Sequence, residues 1–255
     1  MAGNQQQKIK WAVDIMRHSE FTTILSGAGI STHSGIPDFR SNTNGLWTRY
    51  DPFEVASLTA FRHNPDRFFE WMRPLAKIMV QAAPNAAHVG LAHMEQQGYV
   101  HAIITQNIDY LHQRAGSQHI IEVHGSMQSM TCMRCYHHVD AQAYITPYIE
   151  NGEIPHCPKC GGILKPDIIL MEEQLPNLAW QQAVRASQKC DLMIIIGSSL
   201  EVIPVAKLPL QAVEHGAQLI IINKSPTYID VQADIIFHDD LINIIPALEK
   251  VLLSD

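Results

Sequence analysis

Two periods of hydrophobic and polar positions alternate along the chain. Ile9, Ala12, Val13 and Met16 recur at helical spacing and predict a first helix. Residues 21–26 are a short β-rich run that ends in glycines. Residues 100–105 and 120–123 read as strands. Leu192–Ile196 and residues 219–222 are continuous apolar runs, the pattern of central parallel strands buried on both faces. Residues 234–237 predict a last strand. Between these runs, Asn85 is placed to cap a helix through Ala87, Leu91 and Met94 that stops at Gly98. Residues 179–187 and Leu241–Leu252 also read as helices. Strands alternating with helices imply an α/β protein with a parallel sheet and ligand loops at the strand C-termini.

Two stretches break this alternation. Residues 42–80 are helical in pattern and aromatic-rich, with Trp47, Phe53, Phe61, Phe68, Phe69 and Trp71. Residues 130–164 hold four of the five cysteines.

Composition narrows the class. At about 100–200 residues per domain, 255 residues allow one large domain or one with a small companion. Hydrophobic residues at 46% and charged residues at 17% are an ordinary globular balance and exclude a disordered chain. No apolar run approaches the roughly 20 residues of a membrane span, and the first ten residues carry no apolar signal segment. The expectation is a cytoplasmic protein, where cysteines ligate metal rather than pair as disulfides. Charge is 18 Lys+Arg against 25 Asp+Glu, or −7, with no basic run. That argues against a nucleic-acid partner and leaves room for a basic peptide. Most of the fourteen histidines, His88 among them, stand singly and read as surface or satisfied core positions.

The cysteines carry the first chemical signal. Cys132-x2-Cys135 is followed after 21 residues by Cys157-x2-Cys160. Two such knuckles match a structural zinc site of four thiolates. Four ligands leave no position for a catalytic water. A deaminase-type zinc would need a His-x-Glu upstream of a Pro-Cys-x-x-Cys knuckle; none precedes this one, and His156 stands where the proline would be. Cys190 stands alone and reads as a small buried hydrophobe.

The second signal is Ser26-Gly27-Ala28-Gly29-Ile30-Ser31, directly after the first strand. Glycines there let the backbone approach a pyrophosphate, and a helix start after them would add N–H donors. The third glycine of the ordinary dinucleotide fingerprint is replaced by Thr32, and no acidic residue ends a second strand about 20 residues on. The chain instead continues Ser34-Gly35-Ile36-Pro37-Asp38-Phe39-Arg40.

Taken in order, GAGIS…SGIPDFR, Thr105-Gln106-Asn107-Ile108-Asp109, His124-Gly125, the four cysteines and Gly197-Ser198-Ser199-Leu200 resemble the sirtuins, NAD-dependent protein-lysine deacylases. The motifs span residues 27 to 223. The resemblance implies a Rossmann-like parallel-sheet domain (residues 1–41, 82–129 and 165–255). A smaller inserted module would combine a helical part (42–81) and a zinc ribbon (130–164).

The resemblance also assigns roles. Gly27, Ala28, Gly29, Ser31 and Thr32 would cradle phosphates, with Pro37 and Asp38 in the same NAD-binding segment. Phe39 would cover the nicotinamide ribose, and Arg40 would pair with a phosphate. Gln106 and Asn107 would face the ribose side, and Ile108 and Asp109 the nicotinamide carboxamide. The residues alone leave an Asx-turn after the strand as the other reading. His124 would be the general base. Gly197, Ser198 and Ser199 would bind phosphate or ribose, Asn223 and Lys224 the adenosine ribose, and Asp240 and Leu241 the adenine. A substrate peptide would add as a strand between residues 168–171 and 200–202, touching Ile169, Met171 and Val202.

The implied reaction uses NAD as co-substrate. It moves acetyl from lysine to ADP-ribose and releases nicotinamide and O-acetyl-ADP-ribose. The expected cofactors are NAD and one structural zinc, and the expected partners are acetylated lysine peptides or proteins, with no membrane and no nucleic acid; the sequence leaves the oligomeric state open. Alternatives are a protein ADP-ribosyltransferase with the same NAD site and a non-catalytic NAD- or ADP-ribose-binding zinc-ribbon protein. The chain departs from the family twice. Glu172 stands where Phe-Gly-Glu has its glycine, which puts the loop geometry in question. Met72 and Leu75 stand where members that prefer acidic acyl groups carry Tyr and Arg. An apolar pair cannot compensate a buried carboxylate, so acetyl or longer neutral acyl groups are expected over succinyl.

Overall fold

The computed structural model describes residues 2–38 and 46–254. The chain runs from helix α1 (Ala2–His18) to strand β1 (Thr22–Ser26), then through helices α2 (Pro52–Val55), α3 (Leu58–His63), α4 (Pro65–Gln81) and α5 (Ala86–Gln96). Strand β2 (Ala102–Thr105), helix α6 (Leu111–Ala115) and strand β3 (Ile120–Glu122) follow. Next come strands β4 (Gly125–Cys132) and β5 (His138–Asp140), helix α7 (Gln142–Asn151) and strand β6 (Leu164–Ile168). The chain closes with α8 (Asn177–Lys189), β7 (Leu192–Ile196), α9 (Leu208–Glu214), β8 (Gln218–Ile222), β9 (Ile235–Phe237) and α10 (Leu241–Leu252).

Six strands form a parallel sheet in the order β3-β2-β1-β7-β8-β9. The apolar runs explain why it is sandwiched. Alternate residues of a strand point to opposite faces. Ile24, Ile194, Ile196, Ile220 and Ile222 pack with Val13, Met16, Leu91, Ile245 and Leu248 of α1, α5 and α10. Leu25, Met193, Ile195, Leu219 and Ile221 pack with Ala183, Ala186, Leu208 and Ala212 of α8 and α9 on the other face. Truncating one of these fully buried isoleucines to alanine costs about 2–5 kcal/mol. Cys190 is buried as expected, and its thiol donates to the Ser187 carbonyl at 3.3 Å.

The order of the strands locates the site. The chain builds outward from β1 to β2 and β3, then restarts at β7 on the other side of β1. The C-terminal ends of β1 and β7 are therefore a topological switch point, where open α/β sheets bind ligands. The α5 cap reads as the sequence predicts: the Asn85 side chain accepts the N–H groups of Ala87 and His88. After β1 the chain differs from expectation. Instead of an α-helix, Ala28–Ser34 forms a 3-10 turn that ends at Gly35.

A second sheet, antiparallel and ordered β5-β4-β6, belongs to the smaller module. Its two pieces meet in an aromatic core. Phe61, Phe68 and Phe69 stack edge to face with centroids 5.0–5.8 Å apart, a favoured geometry. Tyr148 of α7 joins Phe69 at 5.4 Å, and its hydroxyl donates to the Phe69 carbonyl at 2.6 Å. Thus the two stretches that broke the sequence pattern pack on one another. The architecture is a Rossmann-like parallel-sheet body with a smaller module of helices and a four-cysteine ribbon.

Candidate active site at the switch point of the sheet

The loops after β1 and β7 are in backbone contact. The Gly29 N–H donates to the Gly197 carbonyl at 2.9 Å. A Cβ on Gly29 would lie 2.8 Å from Gly197 Cα, and one on Gly197 would lie 2.6 Å from the Ile30 nitrogen. Both positions require glycine because the two backbones approach this closely. A cleft of about 1550 Å³ opens over this contact. Apart from the four cysteines, every predicted site residue among the described ones lines it. From the first loop come Gly27, Ala28, Gly29, Ser31, Thr32, Pro37 and Asp38, and from the loop after β2 come Gln106, Asn107, Ile108 and Asp109, with His124 beyond. Gly197, Ser198 and Ser199 line it after β7, Asn223 and Lys224 after β8, and Asp240 and Leu241 before α10. Ile169, Met171 and Val202, expected to touch a substrate peptide, line it as well. Phe39 and Arg40 lie outside the described residues.

His124 follows β3 and is held by its neighbours. Its Nδ1 is 3.1 Å from the Gln106 carbonyl. A carbonyl only accepts, so Nδ1 carries the proton and Nε2 keeps its lone pair. Burial pushes the imidazole below its ordinary value, against the hydrogen bond to Gln106. It is therefore neutral at pH 7 and ready to take a proton. The His124 carbonyl accepts the Ile169 N–H at 2.8 Å, which ties His124 to the segment expected to bind peptide. Gly125 makes this crossing possible: φ is 76°, and a Cβ there would lie 2.0 Å from the Asp167 carbonyl oxygen.

Asp109 sits deep in the same cleft. Burial raises its pKa, opposed by hydrogen bonds from Ser31 and the Leu111 N–H. The Ser31 hydroxyl donates to its Oδ2 at 2.6 Å and the Leu111 N–H to its Oδ1 at 3.0 Å. This is a finding the sequence did not hold. Ser31 and Gly29 read as phosphate donors, yet Ser31 is committed to Asp109 and the Gly29 N–H to Gly197. The Asp240 carboxylate, expected at the adenine, takes His33 Nε2 at 2.7 Å and Lys224 Nζ at 3.0 Å and caps α10 at Ile242.

The peptide side also differs in detail from expectation. Met171 does not offer its backbone to a substrate strand. Its N–H donates to the Ala56 carbonyl at 2.9 Å, and its carbonyl accepts the Leu58 N–H at 3.0 Å. The loop docks on the helical part because Glu172 and Glu173 anchor it. Glu173 Oε2 pairs with Lys165 Nζ at 2.8 Å and accepts the Leu170 N–H at 2.8 Å. Met72 and Leu75, expected to face the acyl group, are buried and line the cleft beside Trp71 and Met79. The sequence missed Trp180 and Asn177, which line the same mouth from α8. Their helical spacing carried only a packing signal.

The four cysteines converge at one end of the ribbon, with all Sγ atoms within 4.8 Å of one another. Sγ of Cys132 and Cys160 are 3.5 Å apart, Cys135 and Cys157 3.6 Å, and Cys135 and Cys160 3.3 Å. An S–S bond is about 2.05 Å long, whereas tetrahedral Zn–S bonds of 2.3 Å put sulfurs about 3.8 Å apart. The donor set and spacing fit zinc with a filled shell.

The chain matches the family model described as the Sir2 family over residues 27–204. It is 42% identical over 231 residues to "NAD-dependent protein deacylase 2" of Archaeoglobus fulgidus, covering 90% of each chain. It is 40% identical over 235 residues to "NAD-dependent protein deacetylase" of Thermotoga maritima, covering 92% of this chain and 94% of the other. A solved structure described as "Sir2-p53 peptide-NAD+" superposes with a TM-score of 0.87 at 37% identity, covering 95% of this chain and 98% of the other. With these matches along most of its length, the chain belongs to the Sir2 family.

Proposed function

We propose that this chain is an NAD-dependent protein-lysine deacetylase. It moves the acetyl group of a lysine side chain onto ADP-ribose, releasing nicotinamide and O-acetyl-ADP-ribose. The observation that carries the reading is the joint placement of His124 and Asp109 in one cleft at the β1/β7 switch point. Binding a nucleotide alone would not require a half-buried neutral imidazole with a free lone pair in the same cleft as a half-buried carboxylate. NAD supplies the ADP-ribose acceptor and the nicotinamide leaving group.

The chain's own residues divide the work. The loops at Gly27–Gly29 and 197–199 approach the pyrophosphate as backbone, since no side chain fits between them. Asp109, held by Ser31 and Leu111, accepts from the carboxamide NH2 of nicotinamide. Ile108 packs against the same group. Gln106 donates to the Ser198 hydroxyl at 2.8 Å and bridges the second and third loops on the ribose side. Asn223 and Lys224 flank the adenosine end. His124 takes a ribose hydroxyl proton on Nε2. Burial excludes water and strengthens each of these interactions. Phe39 and Arg40 keep the roles the resemblance gives them.

Acetylated proteins or peptides are the substrate class; relatives solved with a "p53 peptide" and a "propionylated peptide" support this. The peptide lies between residues 168–171 and 200–202, with Ile169, Met171 and Val202 in contact. Residues 1–41, 82–129 and 165–255 form the nucleotide-binding body, and 42–81 with 130–164 the module that closes the cleft. Among the described residues no helix is long and apolar enough to cross a membrane. A cytoplasmic location is supported by cysteines arranged for a metal.

Mass spectrometry of an acetylated peptide after incubation with NAD tests the reading. Loss of the acetyl group by the wild type, and its retention with His124→Ala, is the expected pair of results. Gain of ADP-ribose on the peptide instead would make the chain an ADP-ribosyltransferase.

A further inference from the structure

Two histidines that the proposed reaction leaves unused meet behind the cleft. His88 on α5 and His112 on α6 are 0% and 1% exposed, with rings edge to face and centroids 5.0 Å apart. Their hydrogen bonds fix their tautomers. The Asn85 N–H donates to His88 Nδ1 at 3.4 Å, so His88 carries its proton on Nε2. The Ser26 hydroxyl donates to Thr105 Oγ1 at 2.9 Å. The Ser26 oxygen therefore accepts from His112 Nε2, 2.9 Å away, and Nδ1 is the lone-pair nitrogen of His112. Two ring atoms are left buried without a partner: His88 Nε2 and His112 Nδ1. One is a donor and the other an acceptor, so the two open positions are complementary. A buried polar atom is costly when unmatched and orienting when matched.

From His112 the bonds run to the cleft. Thr105 Oγ1 also accepts the Asn107 N–H at 3.1 Å. Asn107 Nδ2 donates to the Gly27 carbonyl and the Ser31 hydroxyl, each at 3.2 Å. Ser31 in turn donates to Asp109. Each group in this series is oriented by one neighbour and orients the next.

We propose that His112, packed edge to face on His88, is a positioning residue, a neutral imidazole that holds Ser26 and Thr105 so that Asn107 and Ser31 present Asp109 to the nicotinamide end of the dinucleotide. The inference rests on the role given to Asp109 above. It extends the site by one layer, into two helices that do not line the cleft at these positions.

The test uses the full chain and two ligands that differ only in nicotinamide. His112→Leu removes the donor to Ser26 at similar volume, whereas His112→Gln keeps an amide N–H near the position of Nε2. Calorimetric titration of His112→Leu is expected to show NAD bound about tenfold more weakly, and ADP-ribose within about twofold of wild type. KM for NAD should rise by the same factor with KM for peptide unchanged, and His112→Gln should recover NAD binding to within about threefold. A packing role would lower Tm and the active fraction but leave the two affinities in their wild-type ratio. The proposal is overturned if His112→Leu binds NAD as wild type does, or loses NAD and ADP-ribose equally. If His112→Leu does not fold, Ser26→Ala breaks the next bond by removing one atom, with the same expected selectivity. A wild-type chain that binds neither ligand would instead sink the underlying reading of the cleft.

Discussion

The Glu172 carboxylate accepts the backbone N–H of Thr59 across the cleft mouth, at 2.9 Å. Glu172 does this from the left-handed region, with φ of 73°. Few non-glycine residues sit there, and sirtuins are expected to carry glycine at this position. The side chain offsets its backbone conformation by capping the first turn of α3. Its carboxyl is accordingly held below the ordinary range, chiefly by hydrogen bonds from the Thr59 hydroxyl and N–H.

Glu172→Gly removes that strap while easing the backbone. The expected result is a rise in KM for peptide of about threefold or more, with KM for NAD unchanged. Initial rates with each substrate varied in turn check this. An unchanged peptide KM would show that Met171 and the Lys165–Glu173 pair hold the loop unaided.

Acyl selectivity follows from Met72 and Leu75. A succinyl carboxylate would be buried against two apolar side chains with no cation supplied by either, a cost of several kcal/mol for the ionised group. Acetyl-lysine peptide should therefore be turned over at least about a hundredfold faster than succinyl-lysine peptide. Competition between the two peptides, read by mass spectrometry, measures the ratio directly. A ratio below one would refute the assignment of this wall.

Much of this was legible in the sequence, for identifiable reasons. β7 and β8 are continuous apolar runs because helices cover both faces, and Leu192–Ile196 matches its strand end to end. The cysteine spacing states its geometry outright. What the sequence concealed was partner choice. Ser31, Gly29 and Met171 each sit where expected, but their hydrogen bonds go to Asp109, Gly197 and the Ala56–Leu58 backbone, set by contacts distant along the chain. His88 read as a satisfied core histidine. It is core, but its Nε2 has no partner, and its counterpart His112 lies on another helix. The 3-10 turn at Ala28–Ser34 was concealed too, since the close approach of Gly29 to Gly197 selects it.

The zinc site makes a stability prediction. Metal binding at four thiolates is coupled to folding of the ribbon. One zinc per chain is expected by elemental analysis. Cys132→Ala should lose the metal and the near-ultraviolet signature of the small module, while the far-ultraviolet signal of the parallel sheet persists. Stoichiometric zinc in Cys132→Ala would contradict a four-thiolate site.

The histidine pair predicts an acid limb of stability. Burial pushes His88 down to about 4 and His112 down to about 3, with the charge of His88 adding to the shift at His112. Unfolded histidine titrates near 6.5, so between pH 6.5 and 4 the unfolded chain binds more protons than the folded one. Stability is then fully present above about 6.5 and falls as pH drops, by roughly 3 kcal/mol per histidine at pH 4. His112→Gln cannot titrate, so its stability should fall less steeply over that range. Urea unfolding at several pH values compares the slopes, and equal slopes would contradict a buried neutral His112.

The most direct measurement of the central claim is nicotinamide release. An acetylated lysine peptide is incubated with the chain, with and without NAD, and free nicotinamide and deacetylated peptide are quantified together. The account predicts no deacetylation without NAD and one nicotinamide released per acetyl group lost. Deacetylation without NAD, or loss of acetyl with no nicotinamide, would contradict it.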